Sequence, residues 1–186
     1  MTAKWDISSI AVCWENPEAA AESDLQLVRR AVTESWQAHS LLEFVGWKKC
    51  ARNNLGIRIG IADSGPHTKG LGNRLDGVPD GMVLNLTFRN WSPVCSGSES
   101  DRKACIYTIA VHEFGHAIGF AHEQNRPDTP DDECFARMEG SDGTTTALTA
   151  WDPSSTMNYC NPIYGNSGVL SELDAFAVGS LYGFRR

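Results

Sequence analysis

His112-Glu113-Phe114-Gly115-His116-Ala117-Ile118-Gly119-Phe120-Ala121-His122-Glu123 is the stretch on which the reading of this chain turns. His112 and His116 are four residues apart, so on a helix they share one face, a turn apart, and both imidazoles can reach one ion. Glu113 is carried beside them, where a carboxylate can take a proton from water activated by a metal. Gly119 permits an unusual backbone turn that ends the helix and lets His122 swing back as a third ligand. Three protein ligands leave a fourth tetrahedral position for water, the mark of a catalytic rather than a structural zinc site. The expected cofactor is one Zn2+ held by His112, His116 and His122.

The flanks support a helix. Tyr107, Val111, Phe114 and Ile118 recur at helical spacing and form an apolar stripe that fixes the helix to a core. Ser100 or Asp101 is the expected cap at its start.

The segment resembles the zinc-binding consensus of the metzincin metallopeptidases, HExxHxxGxxH, which is accompanied by a methionine turn downstream. Ser154-Ser155-Thr156-Met157-Asn158-Tyr159 supplies such a turn about 35 residues beyond His122. Within the clan, His122-Glu123-Gln124-Asn125-Arg126-Pro127-Asp128 and the S-x-M-x-Y turn are similar to astacins, whereas Leu170-Ser171-Glu172-Leu173-Asp174 resembles the last helix of matrixins. The resemblance implies an α+β fold: a mixed twisted sheet with a backing helix and a zinc helix, then a small irregular C-terminal subdomain ending in a helix. It implies that Tyr159 is a further zinc ligand that moves away to stabilise the transition state. It also implies that Asp174 bonds the methionine-turn backbone and that Glu123 supports the site from behind. Met157 reads as an apolar floor, because a soft thioether suits zinc poorly. The last strand before the zinc helix is expected to be an antiparallel edge that pairs with extended substrate, here Gly81 to Phe88 with Gly81, Met82, Val83 and Leu84 in contact. The stretch after the methionine turn holds no cation, so a neutral pocket walled by Ile163 or Tyr164 is expected.

Along the rest of the chain, Ile7 to Trp14 reads as a strand and residues 17–39 as a long helix with Pro17 at its first position. Phe44 to Trp47, Leu55 to Ala62 and Met82 to Phe88 read as strands, residues 63–81 as a long loop, and Ser171 caps a final helix to about Tyr182. A single domain is expected over residues 1–186, with an N-terminal subdomain of about 1–119 and a C-terminal one of about 120–186 sharing the site.

The net charge of −7 disfavours nucleic acid as a partner. No apolar run is long enough to span a bilayer, and the N-terminus has no signal-peptide pattern. A monomer acting on peptide or protein is expected. Six cysteines without a CxxC pair favour three disulfides and a secreted or otherwise extracytoplasmic chain, a mature fragment without its leader. Chain order pairs Cys13 with Cys50, Cys95 with Cys105 and Cys134 with Cys160, buried free thiols being the alternative. Asp63, Asp76 and Asp80 could bind calcium but lack a regular ligand spacing and read better as solvated turn residues. Two other functions remain open beside a general endopeptidase: a narrow-specificity secreted effector protease, and a zinc-stabilised binding module that no longer cleaves.

Overall fold

The computed structural model describes residues 3–130, 134 and 146–185; residues 131–133, 135–145 and 186 of the expected C-terminal subdomain lie outside them. Strands β1 (Ser9–Trp14), β2 (Glu43–Lys49), β3 (Ile57–Ile61), β4 (His67–Thr68) and β5 (Met82–Leu84) form one sheet in the order β2-β1-β3-β5-β4. All neighbours run parallel except β4, which is antiparallel to β5. β3 is buried along its whole length, as expected of a strand inside a parallel sheet. A bulge between Val12 and Cys13 falls opposite Gly46 and Trp47, both at positive φ. A Cβ on Gly46 would lie 2.9 Å from the Val12 carbonyl oxygen, so glycine is required there.

Helix α1 (Glu22–Glu34) buries Leu25, Val28, Ala31 and Val32. It is shorter than expected: Pro17–Ala19 forms a separate 3-10 turn, and Ser35 leaves helical geometry. Helix α2 (Glu99–Ala117) carries the zinc motif. Its cap is Ser98, two residues before the expected Ser100, with the hydroxyl accepting from the Asp101 N–H. From Ile106 on, α2 is buried on nearly every face, because the sheet and α1 cover one side and the C-terminal segments the other. Val111, Phe114 and Ile118 of the stripe are fully buried. Helix α3 (Glu172–Tyr182) starts at Ser171 in a reciprocal capping box with Asp174. Disulfides join Cys13–Cys50, Cys95–Cys105 and Cys134–Cys160, the pairing that chain order gives. Among the described residues, no helix is long and apolar enough to cross a membrane.

The edge strand corrects the expectation from sequence. Residues Met82, Val83 and Leu84 are buried in β5, which lies between β3 and β4 and is not an edge. The antiparallel edge is β4, at His67–Thr68, inside the stretch expected to be a loop. Two residues are too few to show an alternation.

Candidate metal centre

The helix that positions the site ends in a Schellman turn. Gly119, at φ 106°, donates to His116 O at 2.9 Å, and Phe120 donates to Gly115 O at 2.9 Å. The remaining end carbonyls are also taken: Trp5 Nε1 donates to Ala117 O (2.8 Å) and the Tyr182 hydroxyl to Ile118 O (2.7 Å). The turn returns the chain so that His122 faces His112 and His116.

The three imidazoles are buried. His122 Nε2 lies 3.3 Å from His112 Nε2 and 3.1 Å from His116 Nε2. Nitrogens about 2.0–2.1 Å from one tetrahedral zinc stand roughly 3.3 Å apart, so the spacing fits one ion. Tautomers follow from the other ring nitrogens. His112 Nδ1 meets Thr156 O and His116 Nδ1 meets Phe120 O, each at 2.8 Å. A carbonyl only accepts, so both Nδ1 atoms carry hydrogen and both Nε2 lone pairs point inward. Burial lowers the His112 pKa to about 4 and that of His116 well below the ordinary value, so both stay neutral, as a ligand must. Among the described residues this is the one cluster of three or more His, Cys, Asp or Glu able to hold a metal.

Glu113 is 4 % exposed, and its Oε2 is buried with no hydrogen-bond partner among the described residues. Burial pushes its pKa up to about 8. A buried carboxylate oxygen without a partner, next to three converging imidazole nitrogens, is costly unless a cation and a proton donor complete the site, so the donor set fits zinc.

The methionine turn is fastened from several sides. Asp174 Oδ2 accepts from Thr156 N (2.9 Å) and Ser171 N (3.1 Å), and its Oδ1 accepts from the Ser155 hydroxyl (2.7 Å). The Glu123 N–H donates to Met157 O at 3.0 Å, while Glu123 Oε1 accepts from Asp152 N at 2.9 Å. Burial raises Glu123 to about 7 and outweighs the Arg126 guanidinium, which stands 3.4 Å away and is engaged mainly by Asp128. Met157, 2 % exposed, lies under Gly115 of the zinc helix. The Tyr159 ring stacks on His112, centroids 5.1 Å apart and planes 12° apart, and lies 4.6 Å from the His122 ring.

Thus His112, Glu113, His116, His122, Met157 and Tyr159 come together, with Gly119, Glu123 and Asp174 behind them. Tyr164 stacks on Tyr159, with the exposed Ile163 beside it in the chain. Asp63, Asp76 and Asp80 do not gather: Asp63 binds Asn85 and Asn90, Asp76 accepts from Gly56 N, and Asp80 contacts Gly60. Two residues escaped the sequence reading. Gly115 allows Met157 to approach, and Gln124 accepts from the Tyr159 N–H at 3.1 Å. Gly115 could have been suspected, since a glycine inside a helix needs a packing reason; Gln124 had no signal.

Fold and site together define a zinc metallopeptidase acting on protein or peptide. Residues 99–162, which hold α2, His122 and the methionine turn, match the model of the Astacin peptidase family. No curated protein matches the chain in sequence. The fold is similar to that of myroilysin, with a TM-score of 0.70 and 21 % identity over 99 % of this chain and 97 % of that one. It is also similar to high choriolytic enzyme 1, a hatching-enzyme zinc protease of the medaka fish Oryzias latipes. There the TM-score is 0.61 and identity 17 %, over 98 % of this chain and 94 % of that one.

Proposed function

We propose that this chain is a zinc-dependent endopeptidase that cleaves extended protein segments, with Glu113 as general base and proton carrier. One observation carries the reading: the Nε2 atoms of three buried histidines converge, His122 lying 3.3 and 3.1 Å from the other two, and the residue next to His112 carries a buried carboxylate oxygen with no hydrogen-bond partner among the described residues. His112, His116 and His122 would hold zinc there, which when bound would supply Lewis-acid polarisation of the scissile carbonyl and lower the pKa of water to about 7. Glu113 takes the proton from the attacking water and delivers it to the leaving amine. Tyr159, read as a zinc ligand at rest, is a hydroxyl donor for the oxyanion once it has turned from its place against His112. Substrate lies along the free side of β4 at His67–Thr68, where backbone bonding gives affinity without reading side chains. Ile163 and Tyr164 wall a neutral pocket next to the scissile bond.

The chain acts as one monomeric domain whose halves, about 1–119 and 120–186, share the cleft. The three disulfides support a site of action outside the reducing cytoplasm. A net charge of −7 argues against nucleic acid as a partner. The test compares wild type with Glu113→Ala on unfolded proteins, with zinc content measured for both. Glu113→Ala should keep zinc and lose cleavage by at least about a hundredfold; equal cleavage by the two refutes the assignment.

A further inference from the structure

Tyr164 sits where the backbone takes a shape that side-chain-bearing residues resist. Gly165, Asn166 and Ser167 follow with φ of 53°, 49° and 54°, a left-handed run. The turn is wedged against α2: a Cβ on Gly165 would lie 2.6 Å from Thr108 Cγ2, and one on Gly168 2.7 Å from Tyr107 Cδ1. The Thr156 hydroxyl, from the methionine turn, donates to Gly165 O at 3.0 Å. A backbone pinned to both halves of the metal site presents its first side chain from a fixed place.

That side chain completes a stack. The Tyr164 and Tyr159 rings are 6.2 Å apart with planes at 11°, and Tyr159 and His112 are 5.1 Å apart at 12°. Tyr159 is therefore the middle of three near-parallel tiers. Its backbone N–H is bound by Gln124 Oε1, so rotation of its own side chain is the freedom left to it. We propose that Tyr164 is a positioning residue that holds the Tyr159 phenol over the three-histidine site by ring stacking and not through its own hydroxyl. This rests on the reading of Tyr159 given above. The outer tier is 49 % exposed, so its loss opens no core. An aromatic pair of this kind shifts an equilibrium about two- to tenfold.

The experiment uses Tyr164→Phe, Tyr164→Leu, Tyr164→Ala, Tyr159→Phe and the Tyr159→Phe/Tyr164→Ala double variant. Zinc affinity is read by chelator competition. The phenolate charge-transfer absorption of the Cu(II)-substituted protein reports Tyr159 at the metal, and thermal melts confirm folding. Tyr164→Phe should match wild type. Tyr164→Ala and Tyr164→Leu should weaken zinc binding and the absorption about two- to tenfold, and Tyr164→Ala should be silent on the Tyr159→Phe background. The proposal is overturned if Tyr164→Phe loses as much as Tyr164→Ala, if Tyr164→Ala loses nothing, or if it loses equally on both backgrounds. If Tyr159→Phe itself changes neither reading, the role of Tyr159 fails first and takes this inference with it.

Discussion

Gly115→Ala should destabilise the protein, although the same change in an ordinary helix stabilises it. Alanine is favoured over glycine inside a helix by about 1 kcal/mol. Here the added methyl would lie 2.3 Å from Met157 Sδ and 2.9 Å from Trp36 Cζ2, far inside the roughly 3.5–4.0 Å of carbon packing. Both neighbours are buried, so any retreat displaces packed atoms. Met157 is 2 % exposed, with its N–H bound by the Ser155 hydroxyl and its carbonyl by the Glu123 N–H. Trp36 is fully buried, and its Nε1 donates to Val111 O at 2.7 Å. Overpacking a site pinned on both sides costs about 3 kcal/mol, the upper end of the usual range, so the net loss is about 2 kcal/mol. For a chain of this size that lowers Tm by about 4–8 °C. The assay is thermal and urea unfolding of the zinc-loaded protein, together with Met157→Ala and the double variant. Removing the methionine should relieve most of the clash, so the double variant should lose less than the two single losses added. A Tm that stays level or rises in Gly115→Ala would refute the close packing of Met157 beneath the zinc helix.

Asp174→Ala should cost about 3 kcal/mol in urea unfolding, because it leaves the buried N–H of Thr156 and that of Ser171 without their acceptor; a loss below about 1 kcal/mol would show that the methionine turn does not depend on it. The Glu15–Arg58 pair should make part of the stability acid-sensitive. Two bonds of 2.8 and 3.2 Å from the Arg58 guanidinium hold the Glu15 carboxyl below its ordinary range. The folded pKa therefore lies under the unfolded one of about 4.3, so the contribution is full above that value and is lost as pH falls through the folded pKa. Stability of Glu15→Gln followed from about pH 6 to 3 should fall less steeply than that of wild type; parallel curves would sink the idea.

The parts of the site that sequence made legible are those written in local spacing. His112, Glu113, His116, Gly119 and His122 are defined by one helix and the turn that ends it, and Met157 and Tyr159 by one short turn. Ser171 reads as the cap of the last helix from its position alone, whereas the bond of Asp174 to the methionine turn is legible only through the resemblance. What stayed hidden was set by distant neighbours. β4 is two residues long, so no alternation could betray it, and β5 reads as an edge only if β4 is missed. The end of α1 at Ser35 comes from its side chain bonding back to Ala31 O at 2.6 Å, where periodicity alone continues to Trp36. Gln124 is invisible because its partner is a backbone N–H 35 residues away.

The links around the metal site converge on the segment after Gly119, some tying it to the helix before it and others tying its own parts together. His112 takes its tautomer from Thr156 O, and His116 from Phe120 O, both beyond the helix that bears the ligands. Tyr159 is held through Gln124, and Met157 through Glu123, the two residues that follow His122. The orientation of His112 therefore requires that the methionine turn be docked, whereas that of His116 needs only the turn that ends the helix. Conversely, a cation gathering His112, His116 and His122 draws the two halves together at the same bonds. Metal binding and docking of the C-terminal half are one linked equilibrium, so whatever loosens the methionine turn must also loosen the zinc.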